Sequence, residues 1–231
     1  MSSEIQGFFI AGTDTGVGKT VVTTGLMARA RQQGWNVSGM KPVASGAVKT
    51  ADGLRNDDAL AIQAQCSVPL PYSIVNPCVY QAAASPNIAA AAEGKSIKLA
   101  DLAPAWQQFP AEGLRFVEGV GGWKVPLGES LNMTDLAIHL GLPVILVVGI
   151  RLGCINHALL SADAICQSGL PLVGWVANEI DPEMEYKSQV INELQDSLDA
   201  PLLGQIPNYA DISAQMAADY LQISSFKALL V

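Results

Sequence analysis

The sequence predicts a doubly wound α/β fold, a mostly parallel sheet with helices on both faces. Three observations carry this. Short apolar runs of strand type alternate with segments of helical period from end to end, with no repeat, linker or low-complexity stretch between them. The first such pair, residues 7–11 and 21–30, is joined by a glycine-rich turn. Half of the residues are hydrophobic and only 15% are charged, enough apolar surface for a core on each side of a sheet. A chain of 231 residues in this class is commonly one domain, so residues 1–231 are expected to fold as one unit.

The turn reads Gly12-Thr13-Asp14-Thr15-Gly16-Val17-Gly18-Lys19-Thr20. Strand, glycine-rich turn, Gly-Lys-Thr and helix form a phosphate-binding P-loop, and they make the fold P-loop NTPase-like. Glycines let backbone N–H groups close around an anion, and the helix N-terminus adds its dipole. Lys19 would reach the outer phosphates, and the Thr20 hydroxyl would sit on Mg²⁺. Thr13 stands where the strict pattern has its first glycine, which weakens the motif taken alone; the bland alternative is a chance turn in a βα unit.

The remaining elements follow in order. Residues 36–43 read as a second strand, with Lys41 at the C-terminal end where α/β sheets collect ligands and Ser45 in the loop beyond. Lys41 is either a solvated charge or a functional cation. Arg55-Asn56-Asp57-Asp58 opens a helix, so Asp58 either serves the helix N-terminus or reaches the metal. Residues 74–80 read as a possible strand, 86–92 as a helix with Pro86 at its first position, and 99–108 as another helix. Phe116-Val117-Glu118-Gly119-Val120-Gly121-Gly122 is the second strong signal. Here an apolar strand ends in an acid able to hold Mg²⁺ or its water, followed by glycines that let backbone approach a γ-phosphate. Residues 133–140 form a helix with His139 packed among apolar neighbours. Residues 143–149 are the most hydrophobic strand, fit for the sheet centre. The helix beginning near residue 153 and running to about 168 offers a second anion site at its N-terminus. Cys154 and His157 there lack a third orienting group and are not read as a nucleophile pair. Residues 172–178 form a strand ending in Asn178, whose amide could read a base edge. A helix over residues 183–198, a segment at 202–207 and a final helix close the chain.

Thirteen basic residues against 21 acidic ones give a net charge of −8, which argues against nucleic acid or an anionic membrane as partner. No apolar run approaches the roughly 20 residues of a spanning helix, and no signal peptide is visible, so a cytoplasmic protein is expected. Four cysteines without a C-x-x-C pair suggest neither a zinc site nor a disulfide framework.

Taken together, the P-loop, Lys41-Pro42-Val43-Ala44-Ser45-Gly46, Arg55-Asn56-Asp57-Asp58-Ala59, Glu118-Gly119-Val120-Gly121-Gly122, Gly153-Cys154-Ile155-Asn156-His157 and Gly174-Trp175-Val176-Ala177-Asn178 resemble the dethiobiotin synthetases over essentially the whole chain. Thr13 in the glycine position is itself typical of that family. The resemblance implies an ATP- and Mg²⁺-dependent ligase. It would close 7,8-diaminononanoate, a diamino fatty acid, with CO₂ through a carbamate and a carbamic–phosphoric anhydride. It implies Lys19 and Lys41 as catalytic cations and Thr20, Asp58 and Glu118 around the metal. Nucleotide contacts would come from Gly16, Val17, Gly18, Lys19, Thr20 and Val21, and from Asp58, Glu118, Gly119, Val120 and Gly121. Asn178, Glu179, Pro207, Asn208 and Tyr209 would surround adenine. Thr15 and Ser45 would position the carbamate, and Gly153, Cys154, Ile155 and Asn156 would take the substrate carboxylate. The family is homodimeric, and Tyr186 lies where a Tyr reaches the neighbouring subunit's substrate. Val120 departs from the usual Ala, and the segment after Pro207 matches less well.

Three other readings compete. A P-loop switch of the partition or septum-site type carries Lys-Gly-Gly where Thr13-Asp14-Thr15 stands here. An amide ligase of the cobyrinate type would need a glutaminase domain. A paralogue with a changed amine substrate stays open on the sequence alone.

Overall fold

The computed structural model describes residues 7–110, 112–128 and 130–223. Its centre is a six-stranded, all-parallel sheet in the order β10-β9-β8-β1-β7-β2. These strands are β1 (Gly7–Gly12), β2 (Val37–Met40), β7 (Leu114–Glu118), β8 (Val144–Ile150), β9 (Leu172–Glu179) and β10 (Leu202–Ile206). Every residue of β1 and β8 is buried, as their unbroken apolar runs require of strands covered on both faces.

The period-2 alternation of β1 divides the core in two. Phe8 and Ile10 face one layer with Val22, Leu26 and Ala217, while Phe9 and Ala11 face the other with Leu136, Leu146 and Ile165. Helices α1 (Lys19–Gln32), α2 (Asp57–Gln65) and α9 (Ala214–Asp219) cover the first face; α5 (Leu99–Gln107), α6 (Met133–Leu140), α7 (Cys154–Gln167) and α8 (Lys187–Ser197) cover the second. The close approach of α9 depends on Gly25, where a Cβ would come 2.8 Å from that of Ala217. Helix α6 begins at a reciprocal cap: Asn132 Oδ1 accepts from the Thr134 and Asp135 N–H groups, and Asp135 Oδ2 accepts from the Asn132 N–H. No helix among the described residues is long and apolar enough to cross a membrane.

Three segments differ from the sequence reading. The second strand ends at Met40, because Lys41 and Pro42 leave the sheet. Chain 43–44 becomes β3 (Val43–Ala44), paired with β6 (Cys78–Val79) in a small separate sheet. The strand expected over residues 74–80 shrinks to β6. Pro71 instead starts a helical turn, α3 (Tyr72–Val75), whose N–H groups bond back to Pro71 and Tyr72 before Pro77 stops it. An exposed hairpin, β4 (Val48–Thr50) and β5 (Gly53–Arg55), fills the loop before α2. Boundaries also move at two helices. Helix α1 already starts at Lys19, since the Gly-Lys-Thr of the loop is its first turn, and α8 starts at Lys187 rather than 183. Helix α4 (Pro86–Ala92) lies where the sequence places it.

After β2 the chain returns through β7 between β2 and β1, then crosses β1 to β8. Such a change of winding direction opens a crevice at the C-terminal strand ends. Gly12, Lys41, Glu118, Arg151, Asn178 and Pro207 all lie at or next to that edge.

Candidate active site

The P-loop is braced from three sides. Its Thr13 N–H donates to the Val147 carbonyl at 3.0 Å, and the buried Val17 side chain anchors it in the core. From the end of β9, Asn178 Nδ2 donates to the Val17 carbonyl at 2.9 Å. Gly18 has φ +86°, and a Cβ there would come 2.0 Å from Asn178 Nδ2, so both backbone shape and contact demand glycine. The Asn178 amide therefore acts first on the loop, a role the sequence reading did not assign it.

Across the loop, Lys19 Nζ donates to the Asp14 carbonyl at 2.8 Å. Burial, reinforced by nearby Lys41, depresses its ammonium to about 8. Asp14 sits below its ordinary range, because its carboxylate accepts the Thr15 N–H at 2.7 Å and pairs with Arg151 at 2.5 Å. This Asp14–Arg151 pair, joining the loop to the β8–α7 turn, was not legible in the sequence.

The densest cluster lies between β2, β7 and α2. Lys41 is 3% exposed, and its Nζ donates to Glu118 Oε1 at 2.5 Å, to the Gly119 carbonyl at 3.1 Å, and pairs with Asp58 Oδ2 at 3.2 Å. Thr20 Oγ1 donates to the same Glu118 oxygen at 3.0 Å. Glu118 is fully buried, and its second oxygen, Oε2, has no protein partner. Burial by itself would pull the Lys41 ammonium down, but Glu118 and Asp58 outweigh it and hold it above its usual value. Asp58 is the mirror case: burial would raise it, yet Lys41 and the Thr20 hydroxyl bring it below the usual carboxylate range. It gets there because Asn56 caps α2, accepting the Ala59 N–H at 3.2 Å and placing Asp58 in the first turn.

These groups share one cleft of about 740 Å³. Its lining unites Thr15, Gly16, Gly18, Lys19, Thr20 and Val21 with Lys41, Ser45 and Asp58, and with Glu118, Val120 and Gly121. Ala83, Ala84, Ser85 and Pro86 supply a wall that sequence reasoning missed; Ser85-Pro86 announces a helix start but not what it faces. The carboxylate and hydroxyl oxygens of Asp58, Glu118 and Thr20, with the orphaned Glu118 Oε2, form a donor set suited to a hard divalent cation.

The other expected residues lie outside that lining. Asn208 Nδ2 donates to the Glu179 carbonyl at 3.1 Å, gathering the ends of β9 and β10 next to Pro207, while the Tyr209 and Tyr220 hydroxyls meet at 2.6 Å. Gly153, at φ +91°, precedes α7. The Cys154 side chain is buried and its N–H is taken by the Arg151 carbonyl, so an anion at this helix end would meet the N–H groups of Ile155 and Asn156. Tyr186 is 70% exposed and is the one non-glycine residue with positive φ (+57°) among the described residues.

A family model described as "AAA domain" matches residues 6–216. The chain is 49% identical over 224 residues to the ATP-dependent dethiobiotin synthetase BioD of Cellvibrio japonicus, covering 95% of this chain and 96% of that protein. It is 48% identical to the protein of the same name from Pseudomonas paraeruginosa, at 94% and 96% coverage. Among solved structures, the MinC:MinD cell division complex of Aquifex aeolicus aligns with a TM-score of 0.56 at 15% identity, covering 93% of this chain and 85% of that one, a likeness of fold. Near-half identity along 96% of the length of such relatives leaves one conclusion: the chain belongs to the ATP-dependent dethiobiotin synthetase family.

Proposed function

We propose that this chain uses ATP and Mg²⁺ to close 7,8-diaminononanoate with CO₂ into a cyclic urea, dethiobiotin. One amine takes up CO₂ as a carbamate. A carbamate oxygen attacks the γ-phosphorus and displaces ADP, giving a carbamic–phosphoric anhydride. The second amine then attacks the carbonyl carbon and loses its proton, and phosphate leaves carrying the former carbamate oxygen.

The observation that carries this reading is Lys41, an ammonium almost wholly buried at the floor of the cleft that Lys19 and Ser45 also line. Bringing an anionic carbamate to an anionic γ-phosphoryl group works against their repulsion, and a fixed cation between them lowers that barrier. A nucleotide switch has no such need. Lys19 and the loop N–H groups of residues 16–21 serve the phosphates, with the backbone of Gly119, Val120 and Gly121 opposite. Thr15 and Ser45 place the carbamate end, and the α7 N-terminus at Ile155 and Asn156 takes the far carboxylate. Asn178, Glu179, Pro207, Asn208 and Tyr209 enclose the adenine. Thr20, Asp58 and Glu118 would hold Mg²⁺; the ion supplies neutralisation of phosphate oxygens when bound. A homodimer follows the same reading, since an exposed Tyr186 in a costly backbone conformation is better explained by duty at a neighbouring subunit than by its own fold.

The test is isotopic. Protein, diamine, ATP, Mg²⁺ and ¹⁸O-labelled bicarbonate should yield dethiobiotin by mass and phosphate bearing one ¹⁸O from the carbamate. Unlabelled phosphate beside labelled product would rule out the anhydride.

A further inference from the structure

Lys41 lies one residue beyond the end of β2, so its own N–H and carbonyl find their partners outside the central sheet. Its N–H donates instead to the Val75 carbonyl at 2.8 Å, and its carbonyl accepts from Asn76 Nδ2 at 2.6 Å. Asn76 is 2% exposed, and its Oδ1 accepts from the Tyr72 hydroxyl at 2.9 Å. That hydroxyl accepts in turn from the Asn56 N–H at 2.8 Å, with the Arg55 guanidinium stacked 4.3 Å over the Tyr72 ring. Asn56 caps α2, which carries Asp58, and Asp58 pairs with Lys41 Nζ at 3.2 Å. The path therefore closes on itself: Lys41 backbone, Asn76, Tyr72, Asn56, Asp58, Lys41 ammonium. Asn56 Nδ2 also donates to the Ser45 carbonyl at 3.4 Å, tying a fourth cleft residue to Lys41, Asn56 and Asp58 in the ring.

We propose that Asn76 and Tyr72 are positioning residues of this enzyme, setting where the Lys41 ammonium and the Asp58 carboxylate meet. Neither lines the cleft, so neither touches reacting atoms. Their effect comes through Lys41, a four-carbon chain whose reach is useful only if its root is fixed, and through the start of α2. This rests on the reading of Lys41 given under Proposed function.

The experiment compares full-length Tyr72→Phe and Asn76→Asp with wild type and with Lys41→Gln. Tyr72→Phe keeps the ring and removes one hydroxyl from the path. Asn76→Asp keeps the acceptor for Tyr72 but replaces the donor to the Lys41 carbonyl, and it is the variant more at risk of misfolding. The readouts are ATP affinity by calorimetry, kcat and diamine KM for phosphate release, and melting temperature. Residues that hold a functional group in place typically matter about 10–100-fold. Tyr72→Phe should therefore lower kcat about tenfold, with ATP affinity and diamine KM within about threefold of wild type. A Tyr72→Phe protein that melts lower but turns over like wild type would overturn the proposal, leaving these residues a purely structural role. If Lys41→Gln is impaired while both other variants match wild type, the ring fails and the reading of Lys41 stands. If Lys41→Gln itself turns over normally, the reading of Lys41 fails and the proposal falls with it.

Discussion

Replacing Lys41 by Met tests whether the Glu118 carboxylate depends on its internal counter-ion. Lys41 is 3% exposed and Glu118 0%, with Nζ and Oε1 2.5 Å apart. Truncating one member of such a pair leaves the other charged and dry, which costs about 3–5 kcal/mol. The Asp58 contact is half-exposed and adds at most about 1 kcal/mol. For a chain of this size each kcal/mol moves the melting point by about 2–4 °C, so a total of about 3–6 kcal/mol means that Lys41→Met should lose roughly 6–24 °C. Two controls give the cause. The double variant Lys41→Met, Glu118→Gln removes the stranded charge and should recover most of the loss. Millimolar Mg²⁺ should raise the melting point of Lys41→Met more than that of wild type, where the ammonium already neutralises the carboxylates. Thermal unfolding by circular dichroism, with EDTA and with Mg²⁺, provides the numbers. A Lys41→Met melting within about 2 °C of wild type, or a double variant less stable than the single one, would refute the stranded-charge account.

Three further outcomes are expected. Lys19, held at about 8, loses its charge as pH rises through that value, so ATP affinity should fall between pH 7 and 9 and Lys19→Arg should flatten the fall, read by calorimetry. The sign for stability is opposite. Folding penalises the charged form, a penalty fully present below about 8 and gone by 10.5, so this residue's contribution to stability rises with pH across that window. Gly18→Ala sets a Cβ 2.0 Å from Asn178 Nδ2 at φ +86°, which should abolish measurable ATP binding and cost about 1–3 kcal/mol in denaturant unfolding. Tyr186→Gly exchanges left-handed backbone strain for unfolded-state freedom, effects of about 1 kcal/mol each, so its melting point should barely move while diamine KM rises; an unchanged KM would remove Tyr186 from the substrate.

The parallel sheet and most helices were legible because their signals are local. The run over residues 144–150 has one periodicity, and Asn132, Asp135 and Gly141 mark both ends of α6 within ten positions. Residues 74–80 misled because β-branched composition there competes with Pro77 inside the segment and Pro71 just before it, and the prolines decided the backbone. In the site, Lys19, Thr20, Lys41, Asp58 and Glu118 stood out because each is a polar residue at the end of an apolar element. Asn76, Tyr72 and Arg151 did not. Their partners lie 35, 16 and 137 positions away, and no local pattern encodes a side chain whose task is to hold a distant backbone.

The overall charge of −8 shows where sequence-level electrostatics stops being informative. A net negative charge disfavours long polyanions, which sample many charges at once. It does not forbid a single nucleotide, because exposed charges are screened beyond about 8 Å at physiological ionic strength. On the proposed reading a bound phosphate would meet the cleft itself: two buried ammonium groups, one of them already balanced by Glu118 and Asp58, and the N-terminus of α1. Among the described contacts Lys19 makes no direct ion pair, its Nζ donating to the Asp14 carbonyl; the attraction of Glu118, Asp58 and Asp14 does not offset its burial, and its charge is the one that is costly to keep. An incoming phosphate would restore that charge by adding an anion in direct contact, so ATP binding near pH 8 should take up protons. Calorimetry in buffers of different ionisation enthalpy measures that uptake directly. A binding enthalpy independent of buffer at pH 8 would mean that Lys19 is fully charged before the nucleotide arrives.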